Sequence, residues 1–436
     1  MRHQFDPPRL RVRGGFLLTP LLLLLAGCGG GDNAAIRVLN VSQDYTAINV
    51  FDGSTSTDPT VADVTSGTLS SYSGISSGSQ TLYFTEGGNT QTSSLTSETE
   101  SFTTGEHRTY VTYGDNGEFG EYEIDDNEAP PGGSDASVEV LDTANDAGGL
   151  DVYFAGSGAS LTGISPNFTG LVAGKATSFT SVASGTYQLT VTGTGNNSDV
   201  RLQVPSVTLD GGEVVTIVIT ESAGGYLVNA YVLPQGGSLT TDLNPNARIR
   251  AVVGLTSGSD ISATVGSTAV ITNASPASIG TYQMVPVGTG TVPVSVTVSG
   301  VAVSSPEQAL AAGQDYTLLI YQGTGGIEEN WLVDINRLPA SGDASLRLVH
   351  AMSGLTDPLS LAVDSVPALT DVSQGEASSY DSGITAGTTT TLSVTDTTTS
   401  QLLYSQSAAT LASQGVYTLF MFGGASSATG TLNEDR

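Results

Sequence analysis

Gly74-Ile75-Ser76-Ser77-Gly78 has the G-x-S-x-G form that, in serine hydrolases, sets a nucleophilic serine on a sharp turn between a strand and a helix. That chemistry also needs a histidine within reach, and the 436-residue chain has three, His3, His107 and His350, far apart in sequence. A chain with 54 glycines and abundant serine yields such a string by composition alone, so Ser76 reads as a turn residue and no catalytic residue is assigned. The same scarcity argues against a histidine-based zinc centre, which needs several nitrogen or sulfur ligands at once.

Oxygen ligands are better supplied. Asp115-Asn116-Gly117-Glu118 and Asp125-Asp126-Asn127-Glu128, with Glu121 between them, offer the hard donors that calcium prefers. Asp115, Glu118, Asp125 and Asp126 are therefore the calcium candidates, and no other cofactor is expected. Against this stands the missing EF-hand spacing and the neighbouring Pro130-Pro131, which make a solvated linker the competing reading. Tyr45, Phe119, Tyr226 and Trp331, the sole tryptophan, could stack on sugar rings. Packing in core or edge strands is the alternative, and it is favoured for Trp331 in the strand-like Trp331-Leu332-Val333.

The elements that must position these residues recur. Strand-like openings read Ala34-Ala35-Ile36-Arg37-Val38-Leu39, Ala136-Ser137-Val138-Glu139-Val140-Leu141, Ala247-Arg248-Ile249-Arg250-Ala251-Val252 and Ala344-Ser345-Leu346-Arg347-Leu348-Val349, at spacings of 102, 111 and 97. A second strand follows each opening, as in Ile48-Asn49-Val50-Phe51 and Leu150-Asp151-Val152-Tyr153. A third landmark places an aromatic before an aliphatic and a glycine: Tyr72, Ile75, Gly78; Phe179, Val182, Gly185; Tyr282, Val285, Gly288; and, slipped by one, Tyr380, Ile384, Gly387. A fourth leads from glycine into a strand such as Tyr316-Thr317-Leu318-Leu319, and a closing strand follows. Self-similarity at such a period marks tandem modules. Alternating apolar residues, β-branched side chains and Gly, Asn and Asp turns predict an all-β fold of immunoglobulin-like antiparallel β-sandwiches.

The predicted boundaries are 34–128, 135–234, 246–338 and 343–433 for the four repeats. Between them lie Pro130-Pro131-Gly132-Gly133, Asn244-Pro245-Asn246 and Pro339-Ala340-Ser341-Gly342. Proline favours extended linkers, so the expected shape is a string of modules on the order of 100 Å long.

Residues 1–27 combine Arg2, Arg9, Arg11 and Arg13 with an apolar run through Leu21–Leu25, the pattern of a signal peptide. Its removal takes four arginines and Asp6 with it, moving the formal net charge from −29 to −32. So acidic a chain, with Lys175 its only lysine, repels nucleic acid and anionic headgroups. Leu25-Ala26-Gly27-Cys28 resembles the lipobox of bacterial lipoproteins, which implies cleavage between Gly27 and Cys28 and acylation of Cys28, the only cysteine. Residues 28–33 then form a glycine tether. Gly29 in place of Asp differs from the inner-membrane retention signal of enteric bacteria, so the expected location is the cell envelope, at the outer membrane, with the lipid at Cys28 as the membrane contact. A lipidated Cys28 leaves no disulfide, so each module must be stabilised by its own apolar core.

The repeat as a whole resembles the DUF4397 family. Its opening motif is matched by Arg37-Val38-Leu39-Asn40-Val41-Ser42-Gln43-Asp44 followed by Ile48-Asn49-Val50-Phe51-Asp52-Gly53, and a later element by Ala312-Gly313-Gln314-Asp315-Tyr316-Thr317. Copy two has Glu139 where the motif has arginine, and copy three lacks the Ser-x-Asp turn. The resemblance implies exported β-sandwich modules and no particular activity. Ser42-Gln43-Asp44 reads as a turn whose side chains bond nearby backbone N–H groups; the competing reading has Asn40, Asp44 and Asp52 line a ligand or cation site. The functional expectation is a non-catalytic envelope lipoprotein acting as an adhesive, spacer or protein-interaction module, and the alternative is a glycan-binding surface lipoprotein.

Overall fold

The opening strand of each repeat is buried on both faces, and the structure shows why. In this computed structural model, which describes residues 33–53, 57–114, 117–303 and 305–436, strand Asn33–Asn40 turns Ala34, Ile36 and Val38 into a sandwich core. Its alternate residues face outward, yet Leu39 is fully buried there, in a second apolar cluster shared with the next module. A strand covered on both sides loses the apolar–polar alternation of a half-exposed one.

The first module consists of two sheets. One runs Thr68–Leu69, Asn33–Asn40, His107–Tyr113, Gly120–Asp125; the other runs Val61–Thr65, Ala47–Asp52, Gly78–Glu86, Thr96–Phe102. Among the described residues this pair of sheets occurs four times, each pair closing on a core of its own. All-β sandwich architecture is thus as the sequence implies, with one departure from antiparallel pairing. The opening strand lies parallel to the strand after the fourth landmark, with Arg37 beside Thr109, Glu139 beside Thr216, Arg250 beside Thr317 and Arg347 beside Thr418. Parallel neighbours need a long crossover, and here the whole second sheet supplies it.

The extended string is not what forms. Outer faces of the first and second modules pack together through Leu39, Val111, Leu141, Val218, Tyr231 and Leu233. Those of the third and fourth do so through Val252, Leu319, Val349, Phe420 and Phe422. The modules therefore associate in two face-to-face pairs. Linkers are tied down rather than extended: Asn244 is buried, donating to the carbonyls of Arg201 and Val228 at 2.6 and 3.2 Å. The pairs also touch each other, since Gly224 N–H donates to Gly313 O at 2.8 Å and Leu338 N–H to Asp146 Oδ1 at 3.1 Å. Apolar side chains on sheet faces, each contributing roughly 1.5–3 kcal/mol when covered, outweigh the local preference of proline for extension.

Candidate functional site

Four residue types that chemistry commonly uses, arginine, threonine, aspartate and tyrosine, converge at the seams between modules. The arginine of the opening strand points outward, away from its own core and into the seam. Arg37 Nε donates to Thr109 Oγ1 at 2.7 Å, Arg250 to Thr317 at 2.8 Å and Arg347 to Thr418 at 2.9 Å. Each threonine hydroxyl in turn donates to an aspartate at the end of the closing strand: Thr109 to Asp126 at 2.5 Å, Thr317 to Asp334 at 2.6 Å, Thr418 to Asp435 at 2.5 Å. The third-landmark tyrosine covers the guanidinium, with Tyr72, Tyr282 and Tyr380 rings centred 4.6, 4.7 and 4.7 Å from Arg37, Arg250 and Arg347.

In the third and fourth modules the pairing is exchanged. Arg347 bonds Asp334 of the third module at 2.5 Å, while Arg250 makes two bonds to Asp435 of the fourth at 2.5 and 3.0 Å. Burial works against the Asp334 carboxylate, but Arg347 and Arg250, with the hydroxyls of Thr317 and Tyr282, outweigh it and hold this carboxyl below its usual range. The first pair is asymmetric. Arg37 keeps Asp126 of its own module at 3.4 Å and reaches only the Gly237 carbonyl of the second, at 2.8 Å. Glu139, standing where the others have arginine, accepts from Thr216 at 2.7 Å, and burial raises its pKa. At the junction of the pairs, Tyr226 lies between the guanidinium groups of Arg201 and Arg248, 3.5 and 3.4 Å from its ring centre.

The position occupied by Asn40 in the first module holds Asp142 in the second and His350 in the fourth. Asn40 Oδ1 accepts from Ser42 N–H at 3.0 Å, Asp142 Oδ1 from Ala144 N–H at 2.9 Å, and His350 Nδ1 from Met352 N–H at 3.3 Å. All three cap the turn that follows. His350 Nε2 faces the Asp357 carbonyl at 3.2 Å, so the ring is neutral with its proton on Nε2, and burial brings its pKa down to about 4. Burial pushes Asp142 up to about 7, against the one N–H it accepts from, and its second oxygen has no hydrogen-bond partner among the described residues.

The residues singled out in the sequence fall into these structural roles. Ser42 Oγ donates to Gly114 O at 2.8 Å and accepts from Tyr45 N–H at 3.0 Å, the turn expected of Ser-x-Asp. Asn40 donates to the carbonyls of Tyr45 and Val64, while Asp44 accepts from Gly117 N–H at 3.3 Å; among the described residues no hydrogen bond joins either to Asp52. Asp126 is engaged with Arg37 and Tyr72, Asp125 accepts from Asn127 N–H at 2.9 Å, and Glu118 borders a cleft where modules meet. Asp115 lies outside the described residues, as do residues 1–32 with the cleavage site Gly27–Cys28. Among the described residues no group of three or more His, Cys, Asp or Glu is placed to hold a metal ion. Ser76 sits on strand Ser73–Ser76, paired opposite Asn33 and with no helix after it. Tyr45 and Phe119 pack edge to face at 5.4 Å, and Trp331 does so with Tyr316 at 6.3 Å.

Sequence reading missed the convergence, although its signal is present. Threonine and aspartate are 17 residues apart in all three sets, and the arginine and tyrosine occupy matching places in the repeat. Aligning the repeats on those four residues would have found it.

The model of the family described as Domain of unknown function (DUF4397) matches residues 34–153 and 247–356, together more than half of the chain. The protein belongs to the DUF4397 family. Each matched span begins at the opening strand of the first member of a module pair and runs through the opening strand of the second, in the first span as far as strand Leu150–Ala155. DUF4397 motif residues Arg37 and Asn40 thus serve the seam and the turn beside it. No curated protein matches the chain.

Proposed function

We propose that this DUF4397 protein is a non-catalytic cell-envelope lipoprotein, acylated at Cys28, whose four sandwich repeats form one body that mediates adhesion or protein contacts. The observation that supports this is the use of its reactive side chains. Arg250, Arg347, Asp334 and Asp435 are buried in charge pairs that hold modules to one another. Groups committed in this way stabilise a presenting surface and do not act on a substrate. A body of packed pairs also suits presentation better than length, so the spacer role gives way to a platform at the membrane. The test is attachment of intact cells to one another and to protein-coated surfaces, with the full chain present, deleted, or carrying Cys28→Ala. Loss of attachment in both altered strains supports the reading. Unchanged attachment in the deletion strain, or a specific hydrolase activity of the purified chain that one point substitution abolishes, overturns it.

A further inference from the structure

The seam of the first pair repeats that of the second with one side changed. Asp126 keeps the partners that Asp334 has within its own module. Thr109 and Tyr72 donate to Asp126 at 2.5 and 2.7 Å, as Thr317 and Tyr282 donate to Asp334 at 2.6 and 2.5 Å. Arg37 lies 3.4 Å from Asp126, and Arg250 lies 3.8 Å from Asp334. Asp334 has a fourth partner, Arg347, which reaches across from the opposite module. In the second module the residue in that place, beside its threonine in the parallel register, is Glu139. Phe179 replaces the tyrosine, and Leu233, 17 residues after Thr216, replaces the aspartate. Of the four seam residues the second module keeps only Thr216.

Glu139 is 7% exposed and accepts from the Thr216 hydroxyl at 2.7 Å. Burial raises the pKa of its carboxyl, the Thr216 bond lowers it, and the charges of Glu128 and Asp126 across the seam raise it further. Tyr122, on strand Gly120–Asp125 of the first module, lies in the field of the same carboxyl. Arg37 is turned to Asp126 and to the Gly237 carbonyl. On its own sheet the ionisable residues of the flanking strands are Lys175, opposite Asp142, and Glu221, past Ile219, both beyond the register of Glu139. A carboxyl standing where the second pair has a guanidinium is tolerated opposite carboxylates while it holds its proton, and opposes docking once it ionises.

We propose that Glu139 makes the seam of the first pair a proton-gated contact, closed in acid and loosened as the medium turns alkaline, while the exchanged arginine–aspartate pairs keep the second seam closed. The docked carboxyl binds its proton more tightly than it does with the modules apart. The seam is therefore most favoured below the usual glutamate value of about 4.3 and weakens as pH rises through the raised value of the docked state. Loosening uncovers the face made by Leu39, Val111, Leu141 and Val218. The adhesive role does not depend on this gate, and failure of the gate would leave that role standing.

The test is hydrogen exchange of the detergent-solubilised full mature chain between about pH 5 and pH 8, corrected for intrinsic rates and read by mass spectrometry. Asp142 titrates in the same direction, so every chain compared carries Asp142→Asn. Amides of strands His107–Tyr113 and Val214–Glu221 are expected to lose protection as pH rises, about tenfold for each unit by which docking raises the carboxyl. Strands Asp315–Gly323 and Val416–Phe422 of the second pair should keep theirs. Glu139→Gln retains an acceptor for Thr216 without the charge and should make the first-pair profile level. Glu139→Arg should raise protection at pH 8 above that of the glutamine variant, by setting a guanidinium opposite Asp126 as Arg347 stands opposite Asp334; Glu139→Gln decides the matter should the bulkier side chain not fit. A first-pair slope no steeper than that of the second pair, or a Glu139→Gln chain that keeps the original slope, overturns the proposal.

Discussion

Asp142 and His350 occupy one place in the repeat and respond to acid in opposite directions. Burial raises the Asp142 pKa to about 7, so the folded second module takes up a proton before the unfolded chain does. Its stability therefore rises as pH falls from about 7 towards 4. Burial lowers the His350 pKa to about 4, so the unfolded chain takes up the proton first and the fourth module loses stability as pH falls from about 6.5 to 4. A tenfold change in a protonation equilibrium corresponds to ~1.4 kcal/mol, which limits each effect to a few kcal/mol. Calorimetry across that window should show the two transitions moving apart. Asn40 does the same capping work without titrating, so Asp142→Asn should raise stability at pH 7.5, and His350→Asn should remove the acid sensitivity of the fourth module. If neither variant flattens its pH profile, these residues are not the titrating groups.

Asp334 carries a larger consequence, because it lies fully buried between two arginines. Asp334→Asn removes the negative charge and leaves Arg347 and Arg250 facing one remaining partner, which should cost about 3–5 kcal/mol in urea unfolding. Replacing a whole charge pair with apolar residues should cost far less, since the desolvation penalty goes with it. A loss under about 1 kcal/mol for Asp334→Asn would show that the cluster does not bind the third and fourth modules together.

Strands and their faces are the next scale. Phe420 and Phe422 stack at 6.1 Å on the outer face of strand Val416–Phe422, where they meet the third module. Phe420→Ala should cost about 3–5 kcal/mol, confined to the transition of the second pair, and leave the first pair unchanged. Equal losses in both pairs would contradict separate seams. This element also marks how far sequence reading carries. Apolar patterning and the aromatic and glycine landmarks were enough for strands, sandwiches and the repeat. The largely apolar run Val416–Phe422, interrupted at Thr418, held the further message that its outer face is covered, but a strand buried by a neighbouring module and one buried within its own look alike in sequence. The seam charges were obscure for another reason. Arg250 and Asp435 are 185 residues apart, and only the packing of two whole modules brings them to 2.5 Å. Conversely, the acids beside Asp126 that made it a calcium candidate are visible in sequence, while its partner Arg37, 89 residues away, is not.

For the whole molecule, paired modules predict a shape distinct from a string. A body of this size with all modules in contact should have a radius of gyration of about 22–25 Å by X-ray scattering, against about 30 Å for a rod on the order of 100 Å long. A value at or above the rod figure would mean the pairs separate in solution. Anchoring belongs to this scale too. Cys28→Ala should leave the body folded but release it from the membrane fraction or stall its processing; a variant that stays membrane-bound and is cut normally would refute acylation at Cys28.

The parallel partnership of the opening strand has a temporal meaning. Arg37 and Thr109 are 72 residues apart, so a chain emerging from its amino end must expose the apolar Ile36 and Val38 edge until nearly the whole module has followed. The third module waits longer still, since the counter-charge for Arg250 arrives with the end of the fourth. High contact order slows closure and prolongs the exposure of unpaired strands. Such a chain should depend on escort by holding factors during the interval between emergence and closure.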